Sequence, residues 1–426
     1  MNGDTLKIVV LVLFVLTYAS LLILPKLRAY IALGVAAVFV LIGAMPAGKV
    51  LSVVNWNVIM MIAGTMGTVY LFIQSKMPAL MADVIIEKMP DVRWAIISLA
   101  LFAGIISAFV DNVATVLMVA PIALVISKKL NISPVPGIIA IAISSNLQGA
   151  ATLVGDTTSI LLGGYAGMDF LDFFFFRGKI GLFWIVQAGA IVSAFVLLWY
   201  FRKNRQRIHM TERAKVEDYF PTALLLGTVA LLILASFFPD KPEETNGYIC
   251  IGLFLIGLAR EFIKNRDASV IKNAWKEIDY FTLLLLTGLF VVIGALTEVG
   301  IVADIARLIV SVSNEPFVIY TLLCWASVLL SAFIDNIPYI AAMLPVVKVI
   351  SEQMGMDPNL FYFGLLVGAT LGGNLTPIGA SANIAGLGIL RKEGYEVSAG
   401  AFMKMSVPFT LAAVTTGYLL VWFIWS

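Results

Sequence analysis

The sequence predicts an all-α polytopic membrane protein of about ten transmembrane helices in two inverted repeats, each with a re-entrant hairpin and a broken helix. Three observations carry that prediction. Hydrophobic residues fill 61% of the 426 positions and charged residues only 13%, against roughly 45–50% and about 25% in soluble domains. The apolar residues form long unbroken runs rather than the alternation of a membrane barrel. A polar segment also recurs at one fixed offset. The net charge of +2 gives no case for a nucleic-acid partner.

A helix needs about 20 apolar residues to cross a hydrocarbon core. Uncharged runs approach that length at 8–25, 29–48, 50–75, 94–110, 180–201, 219–239, 281–297, 316–334 and 405–426. The run 246–259 is shorter and completes a span only if its charged flanks snorkel. The first run follows Lys7 and lacks a small-residue cleavage site, so it reads as a retained helix rather than a signal peptide. Cys250 and Cys324 lie far apart in apolar runs and form neither a metal spacing nor a disulfide framework. The single histidine, His209, sits in a charged stretch, which leaves no His-based relay or metal site.

Basic residues set the expected orientation. They cluster in the loops 202–215 and 260–276, which should be cytoplasmic in a plasma membrane or bacterial inner membrane. The connection between the intervening spans, with Asp240, Lys241, Glu243 and Glu244, should then be external.

Ser107-Ala108-Phe109-Val110-Asp111-Asn112 recurs as Ser331-Ala332-Phe333-Ile334-Asp335-Asn336, an offset of 224. Without a gap, the same offset pairs Pro121 with Pro345, Pro134 with Pro358, Gly149 with Gly373, Thr152 with Thr376 and Gly155 with Gly379. Chance similarity between apolar segments does not match polar, Gly and Pro positions in register. Five spans per half, three before this segment and two after, turn the second copy over in the bilayer. The expected division is a first repeat at 1–201 (hairpin about 94–127, broken helix about 138–165), a basic linker at 202–218, and a second repeat at 219–426 (hairpin about 316–350, broken helix about 358–390).

Asp111 and Asp335 each interrupt an apolar stretch too short for two full spans, which suits a hairpin with Asp-Asn at its tip. An Asp at the helix centre costs about 2.5–3.5 kcal/mol on insertion scales, so two in matching positions need a reason. One reason is structural, since Asp and Asn cap helix N-termini; the other is ion binding, and the two are compatible. The stretches 146–159 and 372–383 are dense in Gly, Asn, Thr and Ser, and the second holds Pro377. Pro removes a helical hydrogen bond and Gly permits unusual dihedrals, so both helices should break there. Packing of small residues explains the glycines, but not Asn374, Thr376, Ser381 and Asn383. Unwound carbonyls with these side-chain oxygens suit a small hard cation. Asp156 has no acidic counterpart, its partner being Ala380. A carboxyl at membrane depth can trade a proton for a cation at one place, which makes Asp156 the first proton-carrying candidate, beside Asp111 and Asp335.

These segments resemble the ion transporter superfamily, and most closely the branch of arsenite permeases, NhaD-type sodium/proton antiporters and the P protein. The resemblance rests on SAFVDN and SAFIDN, on GAATLVGDTTS and on GGNLTPIGASAN, and covers nearly the whole chain. It implies hairpin tips that meet the broken helices, a homodimer, and elevator-like movement of a transport domain. It also implies sodium ions near Asn112 and Gly155 and near Asn336 and Gly379, with no other cofactor. Residues and resemblance together give a predicted binding set. From the tips come Ser107, Asp111, Asn112, Thr115, Ser331, Asp335 and Asn336. From the breaks come Asn146, Thr152, Gly155, Asp156, Thr157 and Ser159, with Asn374, Thr376, Gly379, Ser381 and Asn383.

Superfamily members that carry dicarboxylates with sodium have neutral Ser-Asn-Thr tips; here both tips are acidic. Carboxylates around a dianion repel it. The expected activity is therefore secondary active exchange of sodium or a metalloid oxyacid such as arsenite against protons. Sodium-coupled carriage of a dicarboxylate-like anion is the alternative. A channel suits an occluded acidic site less well. An intramembrane aspartyl protease using Asp111 and Asp156 conflicts with a repeat that duplicates only one of them. No enzymatic activity is expected. ATP-driven pumping by this chain alone lacks a GxxxxGK[ST] loop, which leaves a soluble ATPase only as a separate partner.

Overall fold

The computed structural model describes residues 3–130, 132–207, 213–216, 218–266 and 269–426. His209 and parts of both basic loops fall outside these residues. The described chain is nearly all helix, with twenty α-helices and a two-residue antiparallel pairing of Phe175–Phe176 with Lys179–Ile180. Seven helices are long and apolar enough to cross a membrane: Gly3–Ile23, Trp56–Gln74, Asn112–Lys129, Leu182–Tyr200, Thr245–Asn265, Tyr280–Glu298 and Ala399–Trp425. The architecture is that of a polytopic membrane protein.

Two apolar runs behave differently from their hydropathy. The run 29–48 forms a helix only over Arg28–Leu41, because Gly43 turns the chain at a φ of 77° and Pro46 follows. The run 50–75 is cut at Asn55, whose side chain caps Trp56–Gln74 by accepting from the Val58 amide at 3.1 Å. The short run 246–259 does extend, as Thr245–Asn265; its last turns carry Arg260 and Lys264, whose cationic ends reach Asp218.

The repeat is visible helix by helix. Trp56–Gln74, Met77–Glu87, Val92–Ser107, Asn112–Lys129 and Thr157–Ala166 start 224 residues before Tyr280–Glu298, Ile301–Val310, Pro316–Ser331, Asn336–Met354 and Ser381–Lys392. Even a cap is repeated, since Asp279 accepts from the Thr282 amide as Asn55 does from that of Val58. The halves interlock. Thr245–Asn265 packs along Trp56–Gln74, and its counterpart Arg28–Leu41 packs along Tyr280–Glu298. Gly64 and Gly288, themselves 224 apart, permit both contacts. A Cβ on Gly64 would lie 2.3 Å from the Cys250 carbonyl carbon, and one on Gly288 would lie 2.7 Å from that of Ala32.

Contacts between helix ends show the inversion. On one side the amides of Val92 and Arg93 donate to the carbonyls of Gln206 and Asn204, both at 2.9 Å, and Arg213 pairs with Glu87. The first hairpin thus starts on the face where Leu182–Tyr200 ends. Its exit, Lys128, pairs with Glu393 at 2.5 Å, just ahead of the start of Ala399–Trp425. On the opposite side the Trp425 indole donates to the Ile180 carbonyl at 3.2 Å, and the Phe317 and Trp422 rings meet at 4.7 Å. Arg177 pairs there with Asp357 at 2.6 Å. The second hairpin, Pro316–Ser331 and Asn336–Met354, therefore enters and leaves on that opposite face.

Helix breaks fall where glycine and proline place them. The first crossing runs as Val135–Gly149, unwinds, and resumes as Thr157–Ala166. The second runs as Pro358–Leu366, loosens into a π-helical turn at Val367–Leu371 and a 3-10 turn at Gly373–Leu375, and resumes as Ser381–Lys392. The second hairpin and second broken helix begin at the expected Pro316 and Pro358, and the other ends extend past the expected bounds by one to four residues.

Candidate functional site

Each hairpin tip is built by its aspartate. Asp111 Oδ1 accepts from the amides of Val113 and Ala114 at 3.0 and 3.1 Å and starts Asn112–Lys129; Asp335 Oδ1 accepts from Ile337 at 3.2 Å and starts Asn336–Met354. The capping reading of these residues holds, and each cap carries the neighbouring Asn into the interior. The tips lie against the breaks through matching bonds. The Thr152 hydroxyl donates to the Ala108 carbonyl, and Thr376, 224 residues on, donates to that of Ala332. Gly155 and Gly379 make the approach possible. A Cβ on Gly155 would sit 2.6–2.9 Å from the carbonyl oxygens of Gly149, Ser107 and Ala108; on Gly379 it would sit 2.5–2.8 Å from those of Gly373, Ser331 and Ala332. Ser159 donates to the Gly149 carbonyl at 3.2 Å, and Asn383 to that of Gly373 at 3.2 Å.

A buried polar network crosses between the halves. Asn112 donates to Asn146 Oδ1 at 3.0 Å, and Asn146 donates to the Thr370 carbonyl at 2.8 Å. The Thr370 hydroxyl donates to Thr158 at 3.0 Å, and Thr158 to Asp156 Oδ2 at 2.9 Å. Asn336, from the other tip, reaches the same Asp156 oxygen at 3.4 Å. Asp156 Oδ1 caps the Thr157 amide at 2.8 Å. One carboxylate is thereby held by groups from both halves.

Asp111, Asn112, Asp156, Thr157, Asn336 and Ser381 line a cavity of about 340 Å³. Its mouth is bordered by Tyr70, Gln74, Glu277 and Asp279. The end of Trp56–Gln74 lies beside Lys215, Asp218 and Lys264, and the segment expected as a basic loop at 260–276 is helical over Thr245–Asn265 and Ser269–Glu277, so the cavity opens toward the face that carries these basic residues. Among the described residues no Lys or Arg pairs with Asp111 or Asp156, whereas Asp335 Oδ2 is bound by Arg28 at 2.9 Å.

The predicted residues therefore divide by position. Asp111, Asn112, Asp156, Thr157, Asn336 and Ser381 gather at the cavity. Asn146, Thr152, Gly155, Ser159, Thr376 and Gly379 form the joints behind it, and Ser331 donates to the Ala369 carbonyl at 2.6 Å. Asn374 donates to the Ile143 carbonyl at 2.8 Å. Ser107 Oγ, Thr115 Oγ1 and the Oδ1 atoms of Asn374 and Asn383 are buried without a hydrogen-bond partner among the described residues. Oxygen lone pairs of this kind suit a hard cation.

A family model described as "Citrate transporter" matches residues 11–368. The chain belongs to that citrate transporter family. Several curated membrane proteins align with most of the chain. An uncharacterized transporter of Mycobacterium tuberculosis is 29% identical over 98% of both chains, and the 46 kDa membrane protein of Mycobacterium leprae is 30% identical over 76% of each. The human P protein is 30% identical over 77% of this chain and 49% of its own length, in line with the branch that the motifs resemble. Two solved transporters share the fold at 15% identity. The Alcanivorax borkumensis YdaH transporter has a TM-score of 0.58 and covers 90% of this chain and 86% of its own. Neisseria gonorrhoeae MtrF has a TM-score of 0.52 and covers 86% and 80%. The chain is thus a membrane transporter and not an enzyme.

Sequence reasoning missed Arg28, Thr158 and Thr370. Arg28 lies between two apolar runs, where a charge reads as an interfacial loop. Thr158 adjoins two predicted ligands, so its place beside Asp156 was a readable signal.

Proposed function

We propose that the chain is a secondary active transporter that exchanges a small cation or a neutral oxyacid against protons at the cavity beside Asp111 and Asp156. One observation carries this reading: Asp156 lies between a tip of one half and a break of the other, held by Thr158 and Asn336 and bordering the cavity. With Asp111 it puts two carboxylates next to one space. Such a pair attracts a cation or binds a proton and repels an unneutralised anion. Sodium fits the first tip through Asp111, the carbonyls around Gly155 and the partnerless oxygens of Ser107 and Thr115. When bound, sodium would supply a counter-charge that competes with the proton.

Alternating access by an elevator-like displacement of hairpins and broken helices, in a homodimer with the basic loops cytoplasmic, completes the proposal. The division at 202–218 belongs to it too. A second reading is favoured by the family's description: a citrate-like anion enters together with cations that neutralise the two aspartates.

The test uses purified protein in liposomes with an imposed proton gradient and an internal pH dye. Sodium, lithium, arsenite and citrate are added in turn, with Asp156→Asn run in parallel. Proton movement on adding sodium, lithium or arsenite, lost in the variant, is the expected result. Proton movement that survives Asp156→Asn overturns the assignment of the carboxylate. A response to citrate alone, requiring a metal cation, establishes the second reading.

A further inference from the structure

Arg28 opens the helix Arg28–Leu41, yet its side chain reaches into the second tip. Its Nε donates to the Leu21 carbonyl at 2.7 Å and its Nη1 to Asp335 Oδ2 at 2.9 Å, with the two side chains only 18% and 17% exposed. Tyr18, on the preceding helix, donates to the Pro338 carbonyl at 2.9 Å, so the same helix pair holds the tip at two points. The repeat does not supply this contact twice. The position equivalent to Arg28 is Gly252, and no cation pairs with Asp111 among the described residues.

Counting charge at the two tips gives unlike sums. The first tip and the break joined to it carry two carboxylates, Asp111 and Asp156, beside an accessible cavity, with Asn336 of the second tip also reaching Asp156. The second has one carboxylate, Asp335, one guanidinium, and Ala380 where Asp156 would be. A carboxylate buried in a membrane protein needs a counter-charge or a proton. We infer that Arg28 is a tethered cation, taking beside Asp335 the place that a free monovalent cation would occupy. The protein then handles an exchangeable cation at the first tip only. This deepens the exchange reading above, and it makes a statement about the second tip that is testable without any transport.

The experiment compares thermal melting of the purified full chain in sodium chloride and in choline chloride at equal ionic strength. The proteins are wild type, Arg28→Gln, Arg28→Lys and Arg28→Gln/Asp335→Asn. A cation that binds only the folded state raises the melting temperature with its concentration. Arg28→Gln exposes Asp335 to a free cation, so its rise in sodium should exceed that of wild type by about 2–4 °C. Arg28→Lys and the double variant should show no excess, because one keeps a cation and the other removes the carboxylate. If Arg28→Gln does not fold in choline, its recovery in sodium is the same test, with rescue expected. An equal rise in wild type and Arg28→Gln overturns the inference, as does an excess that persists in the double variant. Wild type that ignores sodium while Arg28→Gln responds leaves the inference standing and counts against sodium as the cargo at the first tip. Two-site dependence already present in wild type would assign a second sodium to the partnerless oxygens of Asn374 and Asn383 and overturn it.

Discussion

At the first hairpin tip Asp111 borders a cavity beside Asp156; at the second, Asp335 is bound by Arg28 and the adjoining break offers Ala380. The joints between tip and break nonetheless match in the Thr152 and Thr376 hydroxyl bonds and in the carbonyl cradles over Gly155 and Gly379. Duplication thus preserved the joint and let the charge diverge. A symmetric joint keeps both helix breaks in place, where lipid cannot hydrogen-bond an unwound backbone. An asymmetric charge leaves one tip free to exchange ions. Substitutions at the joint should therefore act alike in the two halves, and substitutions of charge should not.

The largest effect is expected at the glycines. Gly155→Ala and Gly379→Ala each drive a methyl group into three carbonyl oxygens at 2.5–2.9 Å, all of them backbone and unable to swing away. Overpacking of this kind costs about 1–3 kcal/mol or more. Both variants should lose folded yield in detergent to a similar degree. If one melts like wild type while the other collapses, the joint is not symmetric.

Charge should then separate the halves. Asp156→Asn is expected to reduce proton-coupled exchange at least tenfold, a change of about 1.4 kcal/mol, while Ala380→Glu should leave a second, unneeded acid and not rescue it. Proton flux in liposomes reads both. Asp335→Asn should destabilise more than Asp111→Asn. Either Asn can still cap its helix, but Asp335→Asn leaves the Arg28 guanidinium mostly buried and without its carboxylate. Removing one partner of a buried pair costs about 3–5 kcal/mol, and the 17–18% exposure of this one places it toward or below the lower end. Equal melting temperatures for the two variants would mean that Arg28 finds water or another acceptor.

Much of this comparison is legible in the amino-acid sequence. Apolar runs of about 20 residues must be helices in lipid, and Asp-Asn in an apolar stretch with a copy 224 residues away marked both tips. Asp156 stood out because its copy is Ala380. Arg28 did not, since its partner lies 307 residues away and the two meet through the packing of the first two helices against the second half. The interlocking of helices between halves was hidden for the same reason. Hydropathy reports that a helix is buried in lipid or protein, but not which helix it meets. The capping bonds of Asp111 and Asp335 were anticipated by residue type; the bonds that join Thr370 to Thr158 and Asn146 to the Thr370 carbonyl depend on the second half folding over the first.

The finest comparison is between Thr152 and Thr376. Each hydroxyl is buried, and each closes one bond from break to tip, to Ala108 and to Ala332. Valine at either position keeps the shape, removes the donor and leaves a buried carbonyl without this partner, at about 1–3 kcal/mol. If the joint serves only to hold the break, Thr152→Val and Thr376→Val should lower the melting temperature equally and leave the apparent cation affinity alone. An effect of Thr152→Val on sodium dependence, with none from Thr376→Val, would instead place the Thr152 oxygen in the coordination shell of the first tip. The joint and the ion site would then share an atom, and the asymmetry would extend from the carboxylates into the backbone contacts that hold them.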